Sequence, residues 1–350
     1  MRIALDVMGG DHGTFAVVDG AVRASKTVAG LDQLHLVGNQ PEIEMALHKL
    51  GCASDRRLIV HHTAQFLCMT DKPLEGLRRK KHTSIALAVD LLKNGKVDAL
   101  VSPGNTGGVV AAATLKLRPV MGIDRPAIAT IIPAPKRDFL LLDAGANVDC
   151  RPQHLADFAL LGNAYSRGVM NRKQPRVGLL SVGTEDVKGN ETTREAFQLC
   201  KKLPLHFVGN IEGKDLFNDR VDVVVCDGFV GNIILKCCEG LADGLFEWLR
   251  EELSRNTKRK IGAFLARNAF RAIKRRVDPE AHGGAPLLGL NGNVIIAHGS
   301  SGAQAILHAI EQAATTVRTQ LSTTIASEVA LLKSSPSSPK RERPEAEFTV

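Results

Sequence analysis

The stretch "VDALVSPGNTGGVVAAATLKL" (Val97–Leu117) decides how the chain is read. It opens as an apolar run, Val97–Val101, and closes as an Ala- and Leu-rich run ending at Leu117. Between them stand Ser102, Gly104, Asn105, Thr106, Gly107 and Gly108. The pattern is strand, small-residue loop, helix. Glycine permits a tight turn, and Asn or Thr caps a helix, with Thr106 the expected N-cap. Free N–H groups and the positive end of a helix dipole also make such a loop a seat for an anion.

The same pattern recurs outward from this stretch. Ten short apolar runs read as strands: residues 3–7, 34–37, 58–61, 98–101, 127–132, 139–143, 177–182, 205–208, 222–226 and 293–297. They are continuous rather than alternating, as strands buried on both faces are. Helical patterns lie between them, at 42–50, 84–95, 152–166, 192–200 and 303–317 among others. Strand alternating with helix predicts an α/β fold, an α/β/α sandwich around a mostly parallel sheet.

Ligands of such sheets bind beyond the carboxyl ends of the strands. Six loops there are rich in Gly, Asn, Asp, Ser or Thr: "DVMGGDHG" (6–13), "SPGNTGG" (102–108), "AGANVDCRP" (144–152), "GTEDVKGNE" (183–191), "DGFVGN" (227–232) and "HGSSGA" (298–303). Turn chemistry accounts for any one of them. Six together are expected to converge on one end of one sheet and to hold an anion there. No GxxxxGK[ST], GxGxxG after the first strand, GxSxG or HExxH occurs. Cys226 has no evident His partner and reads as a core thiol.

Composition narrows the rest. The 350 residues carry a formal charge of +8, which suits acidic partners, and one Trp and one Tyr, which argues against a base-stacking nucleic-acid surface. Seven cysteines without CxxC or zinc spacing point to a reducing cytosol and to no metal site. The N-terminus enters a strand directly and no long apolar run suggests a membrane span, so the expected location is cytoplasmic. One large domain is expected over 1–332, followed by a disordered Ser/Pro/charge tail at 333–350.

One segment, 245–277, breaks the alternation. From Leu253 to Val277 it has no acid, yet it carries Arg255, Lys258, Arg259, Lys260, Arg267 and Arg271 among other cations. Ile261, Phe264, Leu265 and Ile273 fall at helical spacing. It reads as a basic amphipathic helix or helical hairpin. It either packs on the core or a second copy, or docks on an acidic protein or anionic membrane.

Eight motifs now align with one family. "IALDVMGGDHG", "VDALVSPGNTGG", "GIDRPAIATIIP", "LLDAGANVDCRPQHLADFALLGNAY", "RVGLLSVGTEDVKGNE", "FVGNIEGKDLF", "VDVVVCDGFVGNIILKCCEG" and "GGAPLLGLNGNVIIAHGSSGAQAI" resemble, in collinear order over roughly 1–315, the bacterial phosphate acyltransferases of phospholipid synthesis. Departures are Val7 and Pro103 where that family commonly has alanine, Thr14 for proline, Ser181 for Asn, Ala297 for Ser, and His82 and Thr83 for two serines. The basic segment matches poorly and the tail has no counterpart.

The resemblance implies transfer of a fatty acyl group from acyl carrier protein to inorganic phosphate, without a cofactor. It also implies a fold similar to isocitrate and isopropylmalate dehydrogenases, a homodimer, and peripheral association with an anionic membrane and its glycerol-phosphate acyltransferase. Phosphate is itself an oxyanion and the leaving group is a thiolate, so the site need only hold phosphate and stabilise the tetrahedral oxyanion. Lys188 is expected to neutralise charge. Asp227 and Asn232 would orient donors, and His298 would donate to the oxyanion or carry a proton. Gly9, Gly10, Asp11, Gly104, Asn105, Thr106, Gly107, Asn147, Gly189, Asn190 and Gly231 would form the phosphate and thioester loops, with Asn105 as a side-chain donor. Alternatives are an acyl-CoA-using phosphate acetyltransferase, a dehydrogenase needing NAD and metal, and a non-catalytic membrane scaffold.

Overall fold

A computed structural model describes residues 1–277 and 283–334. Its strands are β1 (Arg2–Asp6), β2 (Gln33–Gly38), β3 (Leu58–His62), β4 (Ala99–Ser102), β5 (Ala127–Ile132), β6 (Phe139–Leu142), β7 (Val177–Leu180), β8 (Phe207–Ile211), β9 (Val223–Val225), β10 (Ala285–Leu288) and β11 (Asn293–Ile296). Its α-helices are α1 (Gly13–Thr27), α2 (Gln40–Lys49), α3 (Pro73–Arg79), α4 (Ser84–Lys93), α5 (Thr106–Leu117), α6 (Pro152–Gly168), α7 (Glu191–Lys201), α8 (Gly228–Ser254), α9 (Thr257–Leu265), α10 (Arg267–Val277), α11 (Ala303–Arg318) and α12 (Leu321–Ser334).

Each apolar run expected as a strand holds one, because Val, Ile and Leu side chains of the inner strands are buried on both faces, while the edge strands β3 and β8 are only partly buried. β10 is additional. Its Pro286 and the following Gly289 make "APLLGL" read as loop.

The strands form one sheet in the order β3-β2-β1-β4-β11-β10-β5-β6-β9-β7-β8. On one face, α1, α2 and α11 cover β1, β2, β4 and β11. On the other, α4 and α5 do. In the second half, α6, α7 and α12 cover one face, and the start of α8 with Leu216 and Ile211 covers the other. This is the expected α/β/α arrangement.

Strand direction departs from expectation. β10 is antiparallel to β11 and to β5, and β5 is antiparallel to β6, while every other pairing is parallel. Three reversals leave β6, β7 and β9 running opposite to β1, β4 and β11. The six loops therefore do not share one edge of the sheet. Three lie beyond one edge and three beyond the other. The tail expected at 333–350 lies, from residue 335 on, outside the described residues.

Candidate active site

At the first edge, the loops after β1, β4 and β11 interlock. Gly9 lies so close to Gly104 that a Cβ on it would fall 2.2 Å from the Gly104 Cα. The Asp11 N–H donates to the Gly299 carbonyl at 2.8 Å. Beneath them the buried Asp6 carboxylate accepts from Ser102 Oγ (2.8 Å) and the Met8 N–H (3.1 Å). Ser102 Oγ in turn accepts from the Gly104 N–H at 3.1 Å. Burial pushes the Asp6 carboxyl above its usual range, against the pull of those donors.

Asn105, not Thr106, caps α5: its Oδ1 accepts from the Gly108 N–H at 2.9 Å. Its Nδ2 is shared among the carbonyls of Cys68, Met69 and Asp71 at 3.1, 3.1 and 3.2 Å. The amide fixes the 68–71 loop, so it is not the free donor that the sequence suggested. Thr106 becomes the first helical residue. The N–H groups of Thr106 and Gly107 make no hydrogen bond among the described residues, and both residues reach solvent. They are the free donors of this loop, at the positive end of a twelve-residue helix. Gly107 itself packs against Pro73.

At the second edge, Asp143 closes the turn after β6. Its buried carboxylate accepts from the N–H groups of Ile128 (2.9 Å), Gly145 (3.2 Å), Ala146 (3.0 Å) and Asn147 (2.7 Å), and from Asn147 Nδ2 (2.8 Å). Burial raises the Asp143 pKa, while these donors hold it down. Asn147 Nδ2 also donates to the Pro126 carbonyl at 2.7 Å, so this buried amide shapes the turn and faces no ligand. Asp227 caps α8 by accepting from the Val230 N–H at 2.8 Å. Gly231 is pressed on the Asp143 carbonyl, where a Cβ would come within 1.9 Å. Asn232 is exposed and flanks Gly145. Cys226 is buried, as a core thiol should be, and burial pushes its pKa up.

The loop after β7 is on this second edge too. Lys188 is exposed, and its ammonium makes no ion pair among the described residues. Gly189 adopts φ +100°, and Asn190 caps α7 through the Thr193 N–H at 2.9 Å.

One contact joins the two edges. Lys236, two turns into α8, places Nζ 3.2 Å from His298 Nε2 in the loop after β11. An ammonium only donates, so Nε2 accepts from Lys236, while Nδ1 lies 2.7 Å from Ser300 Oγ and 3.3 Å from the Ser300 N–H. Glu239 pairs with the same Lys236 at 2.8 Å. Sequence reading missed Lys236 because it lies outside every loop. The signal was its position four residues after Asn232, on the same helix face. No cluster of three or more metal-ligating side chains occurs among the described residues.

The basic segment is three helices, α8 to α10, broken where Asn256 caps α9 through the Arg259 N–H (2.9 Å) and again at Ala266. Neither α9 nor α10 has a buried residue. Trp248, Ile261, Phe264, Leu265 and Ile273 are exposed. Arg255 and Arg259 both pair with Glu252, at 2.9 and 2.6 Å, so part of the expected positive face is neutralised. Arg267 stacks over Phe264 at 4.6 Å. Lys258, Lys260 and Arg271 make no ion pair among the described residues. No described helix is long and apolar enough to cross a membrane.

Residues 1–324 match the family model described as "Fatty acid synthesis protein". The phosphate acyltransferase of Halalkalibacterium halodurans is 46% identical over 331 residues, 94% of this chain and 97% of that protein. The one from Moorella thermoacetica is 47% identical over 325 residues, 93% and 95% of the two chains. Among solved structures, a phosphotransacetylase from Streptococcus pyogenes superposes with a TM-score of 0.61 at 19% identity, covering 91% of this chain and 94% of that one. A 4-hydroxythreonine-4-phosphate dehydrogenase from Klebsiella pneumoniae gives 0.50 at 12% identity, covering 93% and 99%. These structures share the fold.

Proposed function

The chain belongs to this family of fatty acid synthesis proteins, and from that premise we propose that it transfers a fatty acyl group from acyl carrier protein to inorganic phosphate. The products are an acyl phosphate and the free carrier thiol. A phosphate oxygen attacks the thioester carbonyl. The tetrahedral oxyanion then collapses, the C–S bond breaks, and the sulfur leaves as thiolate and takes a proton. No protein nucleophile is required.

The observation that carries the reading is the Lys236–His298 contact. It sets an imidazole and an ammonium where the loops after β1, β4 and β11 meet the helix that starts at the Asp143–Asp227 turn. The free N–H groups of Thr106 and Gly107 hold phosphate with the α5 dipole behind them. Lys188, on the other edge of the sheet, is a second candidate cation whose part in turnover is read from Lys188→Ala. His298 donates to the developing oxyanion in exchange for its contact with Ser300, and Lys236 positions the ring. A single well-placed donor of this kind is worth about 3–4 kcal/mol. Asp143, Asp227 and the glycines position the backbone.

The arm formed by α8 to α10 serves docking. Its unpaired Lys258, Lys260 and Arg271 suit the acidic carrier protein and an anionic membrane that receives the product through a glycerol-phosphate acyltransferase. A homodimer would cover exposed Leu241, Leu245 and Trp248 of α8. The reaction would then run in the cytoplasm, at the membrane surface.

The test is thiol release from a long-chain acyl-carrier-protein thioester, with and without phosphate, in EDTA and without NAD, with hydroxylamine to trap acyl phosphate. Phosphate-dependent release with a hydroxamate is expected, and Lys188→Ala and His298→Ala should each depress it. Release without phosphate, or carrier binding with no release, would overturn the reading. Normal turnover in both variants would overturn the residue roles.

A further inference from the structure

A cavity of about 520 Å³ opens far from the loops described above. It lies between the last turns of α6 and the segments leading into β7 and β8, at the amino-terminal ends of those strands. The Lys188 loop leaves the opposite end of β7. The volume falls within the ~300–1,000 Å³ of small-molecule sites, against ~30 Å³ for one water.

Its lining is specific. Arg167, Lys173 and His206 reach it from three separate segments, and none of its lining residues is acidic. Arg167 is partly engaged by Glu328 of α12 at 3.1 Å, while Lys173 makes no ion pair among the described residues. Asn163 also faces the cavity. It is only 7% exposed, yet its side-chain amide has no hydrogen-bond partner among the described residues. An amide with no protein partner is open to one supplied from the cavity. Leu205 adds an apolar contact.

An unpaired lysine, an arginine fork and an imidazole offer several donors and no carboxylate in the lining, which suits a phosphate group, and Asn163 suits a hydroxyl next to it. We propose that this cavity binds a small phosphate monoester with a hydroxylated carbon body, at a site separate from the acyl-transfer site. The inference does not depend on the proposed reaction.

The experiment is calorimetric titration of the full chain with glycerol 3-phosphate, with glycerol as the uncharged control. Binding is expected on the order of 0.1–1 mM for the monoester and none for glycerol. Lys173→Glu and His206→Ala should each weaken it at least about tenfold, with thiol release unchanged. Both residues are exposed, so the variants should fold. Asn163→Leu should weaken it as well, and unfolding of that variant leaves the other two decisive. His298→Ala should leave the monoester affinity as it is. The proposal fails if the wild-type chain gives no heat of binding up to about 10 mM. It also fails if Lys173→Glu and His206→Ala bind like wild type, or if His298→Ala abolishes binding.

Discussion

Replacing Gly9 by alanine isolates what the crossing of two loops does for turnover. A Cβ at Gly9 would stand 2.2 Å from the Gly104 Cα and 2.6 Å from its nitrogen, where ordinary contact starts near 3.4 Å. Both obstacles are backbone, so no side chain can swing away. The β1 and β4 loops must part by about 1.2 Å, and the start of α5 moves with Gly104. A displacement near 1 Å in a reacting geometry lowers rate about 10²-fold. Forced overpacking of this kind costs about 1–3 kcal/mol of stability. Gly10→Ala is the matched control, since its Cβ would meet nothing nearer than Val17 Cγ2 at 3.4 Å. Neither glycine has positive φ, so the contrast is steric. Phosphate-dependent thiol release and urea unfolding should be measured on both. We expect about a hundredfold loss for Gly9→Ala and near-normal turnover for Gly10→Ala. Equal turnover in the two variants would refute the reasoning.

Other outcomes follow from single contacts. Lys236→Met should lower turnover at least about tenfold while changing the phosphate KM little, because Lys236 acts through His298; an unchanged kcat would remove it from the site. His35 Nδ1 lies 2.8 Å from His61 Nε2, and burial followed by the neighbouring His61 lowers the His35 pKa from 6.5 to about 4. The folded state thus binds fewer protons than the unfolded chain, and stability present above pH 6.5 is lost as pH falls toward 4. Between pH 7.5 and pH 5 the urea midpoint of wild type should fall further than that of His35→Leu, and parallel profiles would contradict this. Thr83 caps α4 by accepting from the Ala86 N–H at 3.2 Å, so Thr83→Ala should lose about 1 kcal/mol in urea unfolding without loss of activity.

Much of the fold is legible because the apolar runs are long, β-branched and unbroken. Val223–Val225 and Ala127–Ile132 can hardly be anything but buried strands. Such a run carries no direction, however. Nothing in "FLLL" or "VVV" says which way it points beside its neighbour, and the reversals at β10 and β5 depend on pairings between distant segments. That is why six similar loops, each well read as turn and cap, were expected on one edge and occupy two. The same gap hid the employment of Asn105 and Asn147. An amide's partners here are carbonyls 34 and 21 residues away, invisible to local spacing. Lys236 was hidden for a related reason, since His298 lies 62 residues from it.

The place of β11 and β10 in the sheet also sets a timetable for synthesis. β4 receives β11 as a neighbour, and Asn293 reaches back to a carbonyl 195 residues earlier. At about 5–20 residues per second, a ribosome needs roughly 10–40 s to deliver that partner after β4 has emerged. During this interval β4 and β5 are both unpaired edges, each a template for another nascent chain. The last strands to be made are the ones that close the sheet, so a chain cut short before residue 285 leaves two open borders where the finished protein has an interior.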